Sequence, residues 1–218
     1  MTRPQHLAGI GSTITPPTTG RTTSTASRDY PARAGMMLAK TEAADQVVDT
    51  FDRLGGTIPV LALVESAVGI EEAPAIARAR GAFRLAFGSG DYRRDTGTSA
   101  DDLAMAYPRS RLVVASRVGD LPGPIDGPTV SNSHPVLREQ SAVAVSLGLT
   151  GKLCLDTGQL PVINEAISPA PSDVIWAREF LADFDARGRV IRDGSDLPRL
   201  GRAEKIARLA DAFAICPS

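Results

Sequence analysis

An almost uninterrupted apolar run from Ile58 to Val64 is the feature that most limits how this chain can fold. A strand that is apolar at nearly every position must be covered on both faces, and that is typical of a parallel sheet flanked by helices. Similar runs recur along the chain and alternate with helical patterns that end in glycine. The predicted strands are Met36–Ala39, Ile58–Val64, Phe83–Phe87, Leu112–Ala115 and Lys152–Leu155, with a weak candidate at Leu7–Ile14.

This alternation predicts an α/β fold with a parallel sheet and outer helices, which is either doubly wound or closed into a barrel. In both arrangements, ligands bind beyond the carboxyl ends of the strands. The sequence has no glycine-rich dinucleotide fingerprint and no phosphate-binding loop, because Gly151-Lys152 precedes a strand rather than a helix. Nucleotide binding through those motifs is therefore disfavoured.

Charge and hydropathy exclude further classes of function. The net charge of −1 gives no basic field for nucleic acid, and no apolar run approaches the length of about 20 residues that spans a bilayer. The two cysteines, Cys154 and Cys216, form neither a disulfide framework nor a zinc site, and Cys154 is interpreted as a packing residue. We expect a reduced, cytoplasmic protein.

The N-terminal region differs in composition from the rest. Ten of the seventeen residues from 12 to 28 are serine or threonine, with little that is apolar to bury. Residues 1–30 are therefore predicted to be an irregular arm, either a disordered loop or one ordered by a neighbouring subunit or ligand. Residues 31–218 are predicted to form the α/β domain with its C-terminal helices.

Two carboxylates occur where apolar strands stop. Glu65 follows Val64 directly, and Asp91 follows Phe87 after a Gly-Ser-Gly turn. If the strands are adjacent and parallel, about 4.8 Å apart, the two carboxylates can share one Mg²⁺, which keeps waters and needs few protein ligands. The alternative is that each carboxylate caps the helix that follows it.

Glycines lie close to both carboxylates. Gly69, Gly88 and Gly90 would let backbone N–H groups approach a bound carboxylate closely, and we assign them as candidate cofactor- or substrate-binding positions.

Several stretches resemble the citrate lyase β-chain-like family of metal-dependent aldolases and lyases. They appear in family order and at family-like spacing between about residues 33 and 187. The resembling stretches are Met37–Glu42, Ala62–Gly69, Leu85–Tyr92, Ile125–Pro128, Gly148–Lys152, Gln159–Asn164, Pro169 and Trp176-Ala177.

The resemblance implies a (β/α)₈ TIM-type barrel with its site at the C-terminal face. It implies that Glu65 and Asp91 are the Mg²⁺ ligands, because they match the family's metal-binding Glu and Asp. The implied reaction cleaves a hydroxy-acyl thioester, such as citryl-CoA, into an acetyl thioester and a 2-oxo acid such as oxaloacetate. Family members also commonly assemble as homotrimers or hexamers.

The chain departs from the family pattern in three respects. No acidic strand motif and no Arg-x-Asn motif precede residue 33, although Arg21 or Arg28 could supply the arginine. At 218 residues the chain is shorter than the roughly 250 of a complete barrel, so the barrel is expected to be incomplete at the N-terminus. Asp156 stands where the family typically has histidine, so an acceptor replaces a donor. An alternative function is therefore a homologue that binds a metabolite or partner without turnover.

Other polar residues have competing interpretations. Lys40 either meets a substrate anion or pairs with Glu42 or Asp45. Asp126 either faces the site or forms the turn before Gly127. His134 is favoured as a surface or first-turn residue over a catalytic base. Arg117 is favoured as a solvated residue over a ligand of a CoA phosphate, and Trp176 is favoured for helix packing over base stacking.

Overall fold

The computed structural model describes residues 35–215. The weak strand candidate at Leu7–Ile14, the arm at residues 1–30, Arg21, Arg28 and Cys216 lie outside the described residues. The strands are β1 (Met36–Leu38), β2 (Val60–Val64), β3 (Ala82–Phe87), β4 (Ile125–Asp126) and β5 (Gly151–Lys152). The helices are α1 (Ala44–Arg53), α2 (Ala67–Arg78), α3 (Ser89–Thr96), α4 (Asp102–Val118), α5 (His134–Ser146), α6 (Leu160–Ile167), α7 (Pro171–Ala186) and α8 (Asp196–Ala212).

The five strands form one sheet in chain order, and every neighbouring pair is parallel. The register places Leu38 beside Ala62 and Val64 beside Phe87, so the carboxyl ends of β1, β2 and β3 meet at one rim. The predicted parallel α/β fold is thus confirmed. Closure of the sheet into a barrel and its incompleteness at the N-terminus both stay predictions.

The two central strands are buried in different patterns. On β2 the alternate residues Val60, Ala62 and Val64 have no exposed surface, whereas on β3 the last three residues in a row, 85–87, have none. Residues of both strands pack in one core with apolar side chains of α1, α2 and α4. Burial of each large side chain of this kind contributes about 1.5–3 kcal/mol, so this layer holds the rim in place.

The predicted strand at Leu112–Ala115 is wrong, because these residues lie inside α4. Leu112 and Ala115 are buried while Val114 is exposed, which is helical periodicity. A four-residue apolar run cannot distinguish a strand from one turn of a helix. The fourth strand is instead Ile125-Asp126, two residues that the sequence favoured as part of a turn. The fifth is shorter than expected and ends at Lys152.

Within the described residues, 35–167 and 168–215 form two compact units. In the second unit, α7 and α8 pack through Val174, Ala177 and Phe184 on one helix and Ala203 and Ala210 on the other. Trp176 stacks on Phe180 with ring centroids 5.8 Å apart, so its predicted packing role is confirmed. The predicted boundary at residue 30 stays a prediction. None of the described helices is long and apolar enough to cross a membrane.

Candidate metal and substrate site

Glu65 is the first residue after β2 and lies at the rim where three strands end. Its residue surface is only 7% exposed. The main-chain N–H of Lys40, at the end of β1, donates to its Oε1 over 2.9 Å. The parallel pairing of β1 with β2 brings these two positions together. Glu65 is therefore a carboxylate that is held in one place from the neighbouring strand.

Asp91 is the third residue of α3, the helix that begins after β3. Its side chain is 41% exposed and pairs with Arg94, one turn further along, over 2.8 Å. A carboxylate in the first helical turn is favoured by the helix dipole. Asp91 is thus the more open member of the pair.

The carboxyl groups of Glu65 and Asp91 lie against each other. Burial raises the pKa of Glu65 above its ordinary value, and both the negative charge of Asp91 and a hydrogen bond with it raise this pKa further. The Lys40 N–H and, more weakly, the Lys40 charge oppose this rise. Two adjacent carboxylates cannot both ionise without repulsion, which a divalent cation would relieve.

The sequence left open whether the two carboxylates cap helices instead. The N-cap of α2 is Ser66, whose hydroxyl accepts the Gly69 N–H over 3.2 Å, and the N-cap of α3 is Gly88. The Ser66 hydroxyl in turn donates to Glu42 over 2.6 Å. Capping therefore does not account for Glu65.

The two acidic side chains fit a Mg²⁺ ion. The described part of the chain contains no cluster of three or more His, Cys, Asp or Glu side chains placed to hold a metal. Mg²⁺ does not need one, because it is commonly bound through one or two carboxylates with water and substrate oxygens completing the octahedron. A thiolate-free pair of oxygen ligands favours Mg²⁺ over softer transition metals.

The three glycines near the site have different surroundings. A Cβ on Gly88 would overlap the Cβ and Oε2 of Glu65, and a Cβ on Gly69 would lie 2.6 Å from the Thr41 carbonyl oxygen. The N–H groups of both glycines already have acceptors. Gly88 N–H donates to Val64 O, and Gly69 N–H donates to the Ser66 hydroxyl. Only Gly90 of these three has nothing within 4 Å of its Cβ direction. Contact of the glycines with a ligand stays a prediction.

A buried ion cluster at the ends of β4 and β5 was missed by the sequence reasoning. Asp126 has no exposed surface and accepts hydrogen bonds from Arg109 Nε and Lys152 Nζ, each over 2.9 Å. Lys152 also donates to the Gly127 carbonyl over 2.9 Å. Asp126 therefore neither lies open to solvent in a turn nor shares the Glu65–Asp91 pair. The missed signal was Arg109 on the apolar face of α4, which is visible only once that segment is known to be a helix.

The remaining singled-out residues lie elsewhere. His134 begins α5, is exposed, and lines a cavity of about 220 Å³ with Asn132, Asp156 and Gln159. Asp156 accepts the Gly158 N–H over 2.6 Å at the start of the 3₁₀ turn Thr157–Gln159. Arg117 is exposed, which agrees with its predicted solvated position, and its Nη1 lies 3.7 Å from Asp120 Oδ1.

A family model described as HpcH/HpaI aldolase/citrate lyase matches residues 21–157. The chain belongs to this family. A second model, described as the HpcH/HpaI aldolase C-terminal domain, matches residues 172–214, which lie in the unit formed by α7 and α8. The resemblance inferred from the ordered motifs is therefore confirmed.

The named relatives include lyases. The chain is 28% identical to mitochondrial citramalyl-CoA lyase of Rattus norvegicus, over 83% of this chain and 61% of that protein. It is 25% identical to the citrate lyase subunit beta of Haemophilus influenzae, over 82% of this chain and 69% of the relative. The chain thus spans about three fifths of the length of the rat enzyme.

Solved structures give the same fold. CitE from Mycobacterium tuberculosis in complex with magnesium, acetoacetate and coenzyme A aligns with a TM-score of 0.64 at 26% identity, over 82% of this chain and 69% of that one. The citrate lyase beta subunit from M. tuberculosis complexed with oxaloacetate and magnesium aligns with a TM-score of 0.55 at 26% identity, over 63% of each chain.

Proposed function

We propose that this chain is a Mg²⁺-dependent carbon–carbon lyase that cleaves a hydroxy-acyl thioester into an acetyl thioester and a 2-oxo acid. The observation that carries the proposal is the interaction between Glu65, the first residue after β2, and Asp91, in the first turn of the helix that follows the neighbouring parallel strand β3. Family membership then narrows the chemistry, because the named relatives include citramalyl-CoA, malyl-CoA and citrate lyases.

The chain's own groups are suited to hold the ion. Glu65 is fixed by the Lys40 N–H and buried against Gly88, whereas Asp91 is open to solvent on the first turn of α3. One ligand is therefore rigid and the other accessible, which leaves one side of the pair free for water and substrate. A bound Mg²⁺ would supply positive charge to the carboxylate and neighbouring oxygen of the departing 2-oxo acid.

The proposed reaction balances without a redox partner. The substrate hydroxyl loses its proton to a base, its oxygen forms the new carbonyl, and the adjacent carbon–carbon bond breaks. The electron pair of that bond passes to the thioester fragment as an enolate, which takes up a proton to give the acetyl thioester. Charge develops on oxygen in both fragments, and electrostatic stabilisation of such charge is usually the largest single contribution to catalysis.

A homologue that binds a metabolite or partner without turnover is the second candidate. The observation that favours it is Asp156, which caps the 3₁₀ turn at Thr157–Gln159 with an acceptor oxygen where the family typically has a histidine donor. Binding and turnover must therefore be measured separately.

Calorimetric titration with Mg²⁺, followed by pyruvate or oxaloacetate, tests the binding part of the proposal. We expect Mg²⁺-dependent uptake of the oxo acid by the wild type. Replacing Glu65 by Gln removes one of two charged ligands and should weaken Mg²⁺ binding at least about tenfold. Glu165→Gln is the matched control, because Glu165 is an exposed carboxylate paired with Arg138. A folded wild type that gives no Mg²⁺-dependent heat would contradict the proposal.

Turnover is tested with citramalyl-CoA, citryl-CoA and malyl-CoA by following release of the 2-oxo acid. Cleavage of any of these thioesters supports the proposed lyase activity if it is lost both when Mg²⁺ is removed and in Glu65→Ala. Binding of Mg²⁺ and oxo acid with no cleavage of the three thioesters would instead favour the homologue without turnover.

A further inference from the structure

Lys40 has an unusual backbone conformation for its place in the fold. Its φ angle is +50°, in the left-handed region that residues with a side chain rarely occupy. The other described non-glycine residues with positive φ are Asp120, Arg189 and Ala214, and each follows the end of a helix. Left-handed residues are common at helix ends, whereas Lys40 follows strand β1.

Contacts of the neighbouring main chain hold Lys40 in this conformation. The Lys40 N–H donates to Glu65, and the Thr41 N–H donates to Leu63 O over 3.0 Å. The Thr41 hydroxyl donates back to Leu38 O over 2.8 Å, and the Thr41 carbonyl lies against Gly69. None of these contacts uses the Lys40 side chain. Glycine or asparagine would satisfy them with less strain, so they do not explain why a lysine is present.

Lys40 is an exposed residue whose main chain contacts Glu65, one of the paired carboxylates. Its ammonium forms no ion pair within 4.0 Å with any residue in the described range 35–215, including the predicted partners Glu42 and Asp45. Its positive charge nevertheless acts on Glu65. Arg94, a cation on α3, is already paired with Asp91 over 2.8 Å. Backbone strain at such a position points to a function for the side chain.

We propose that Lys40 has two separate roles, in which its main-chain N–H positions Glu65 and its ammonium group binds the carboxylate of the 2-oxo acid fragment. This inference rests on the proposed function, since it assigns the substrate-binding cation of the same site. An ammonium group on a flexible stem is suited to a carboxylate that must enter and leave. In the left-handed conformation, the N–H of Lys40 binds Glu65 while its ammonium group is left to bind the substrate carboxylate.

The two roles separate in variants that keep the backbone conformation. Lys40→Gly and Lys40→Asn both accept a positive φ and retain the N–H, but lack the cation. Mg²⁺ affinity is measured first without oxo acid, and pyruvate affinity is then measured at saturating Mg²⁺. We expect Mg²⁺ affinity to change less than about threefold and pyruvate affinity to fall about tenfold to a hundredfold, as for loss of a charged hydrogen bond. Lys40→Arg, which keeps a cation, should recover part of the pyruvate affinity.

Arg80→Met is the matched control, because it removes an exposed cation of the same unit that pairs with Asp52 away from the rim. A thermal melt of each variant verifies folding. A third measurement gives the affinity for CoA alone, because the phosphate groups of CoA are a second anion that Lys40 could bind. Lys40→Gly that loses affinity for CoA but binds pyruvate like the wild type would overturn the inference.

The failures of this inference and of the proposed function are distinguishable. A wild type without Mg²⁺-dependent pyruvate binding contradicts the proposed function, and the inference falls with it. A wild type that binds pyruvate, with Lys40→Gly and Lys40→Asn binding it equally well, overturns the inference alone. A tenfold loss of Mg²⁺ affinity in both variants would also overturn it, because the side chain would then act through the metal ligands.

Discussion

At the scale of single residues, the position of Glu65 depends on the absence of a side chain at Gly88. The two residues belong to neighbouring strand ends, and any Cβ at position 88 would occupy the space of the Glu65 carboxylate. Gly88 has a negative φ of −89°, so close packing and not backbone conformation is what requires glycine there. A buried carboxylate of this kind is costly unless it has a partner, which fits a group that waits for a cation.

We predict that Gly88→Ala weakens Mg²⁺ binding about tenfold or more, since the new methyl group must displace the Glu65 side chain. Mg²⁺ titration of the folded variant provides the measurement. Gly201→Ala is the control, because Gly201 lies in α8 with nothing within 4 Å of its Cβ direction, and alanine there should stabilise the helix by about 0.5–1 kcal/mol. Equal Mg²⁺ affinity in Gly88→Ala and the wild type would show that Glu65 does not hold the ion.

At the scale of elements, the ends of β4 and β5 are joined to α4 by the cluster of Asp126, Arg109 and Lys152. Lys152 has a side chain only 1% exposed, and its ammonium bridges Asp126 and the Gly127 carbonyl. A buried carboxylate that is paired with two cations is weak evidence for net stabilisation. Removing its charge nevertheless leaves Lys152 without a paired carboxylate among the described residues, and leaves Arg109 with only the exposed Asp102, 3.6 Å from its Nη1. The cluster therefore links the two-residue strands β4 and β5 to Arg109 of α4.

We predict that Asp126→Asn lowers the free energy of unfolding by about 3–5 kcal/mol, as expected when a buried ion pair loses one partner. Urea unfolding gives the value. Glu165→Gln offers a comparison at the same pair distance of 2.9 Å, but its side chain is 64% exposed, so its loss should cost at most about 1 kcal/mol. Similar costs for the two variants would mean that the burial of Asp126 has no energetic consequence.

Short apolar runs gave mixed strand predictions, since Met36–Ala39 matches β1 whereas Leu112–Ala115 lies in a helix. The predicted strand Ile58–Val64 matches β2 because a nearly continuous apolar run must be covered on both faces, and the predicted strand Phe83–Phe87 matches β3 although Arg84 interrupts its apolar pattern. Leu112–Ala115 was assigned to a strand because four apolar residues match either period, and only the 17-residue length of α4 decides between them. Ile125-Asp126 is too short for any periodicity, so its pairing with β3 and β5 defines it.

At the scale of the whole molecule, the expected assembly into oligomers is inferred from the family resemblance and not from any described contact. The resemblance predicts a homotrimer or hexamer, and the chain spans about three fifths of the length of the rat relative. We predict that light scattering coupled to gel filtration will give a mass of three or six chains at neutral pH. A stable mass of one chain, with Mg²⁺ present, would contradict this. The cytoplasmic location likewise stays a prediction, since the rat and human relatives are named as mitochondrial.

The sequence by itself determined the parallel α/β fold and the family, because these depend on local periodicity and on motifs that are contiguous in the chain, and it supplied two candidate metal ligands that stay predictions. Only the tertiary structure decided how Glu65 is held, since its partner Lys40 is 25 residues away and reaches it through parallel strand pairing. It also decided that Asp126 is a buried ion pair and that Gly88 is a packing requirement. Spacing along the chain does not report burial or the direction of a side chain, and these are the properties that make two acidic residues a candidate metal site.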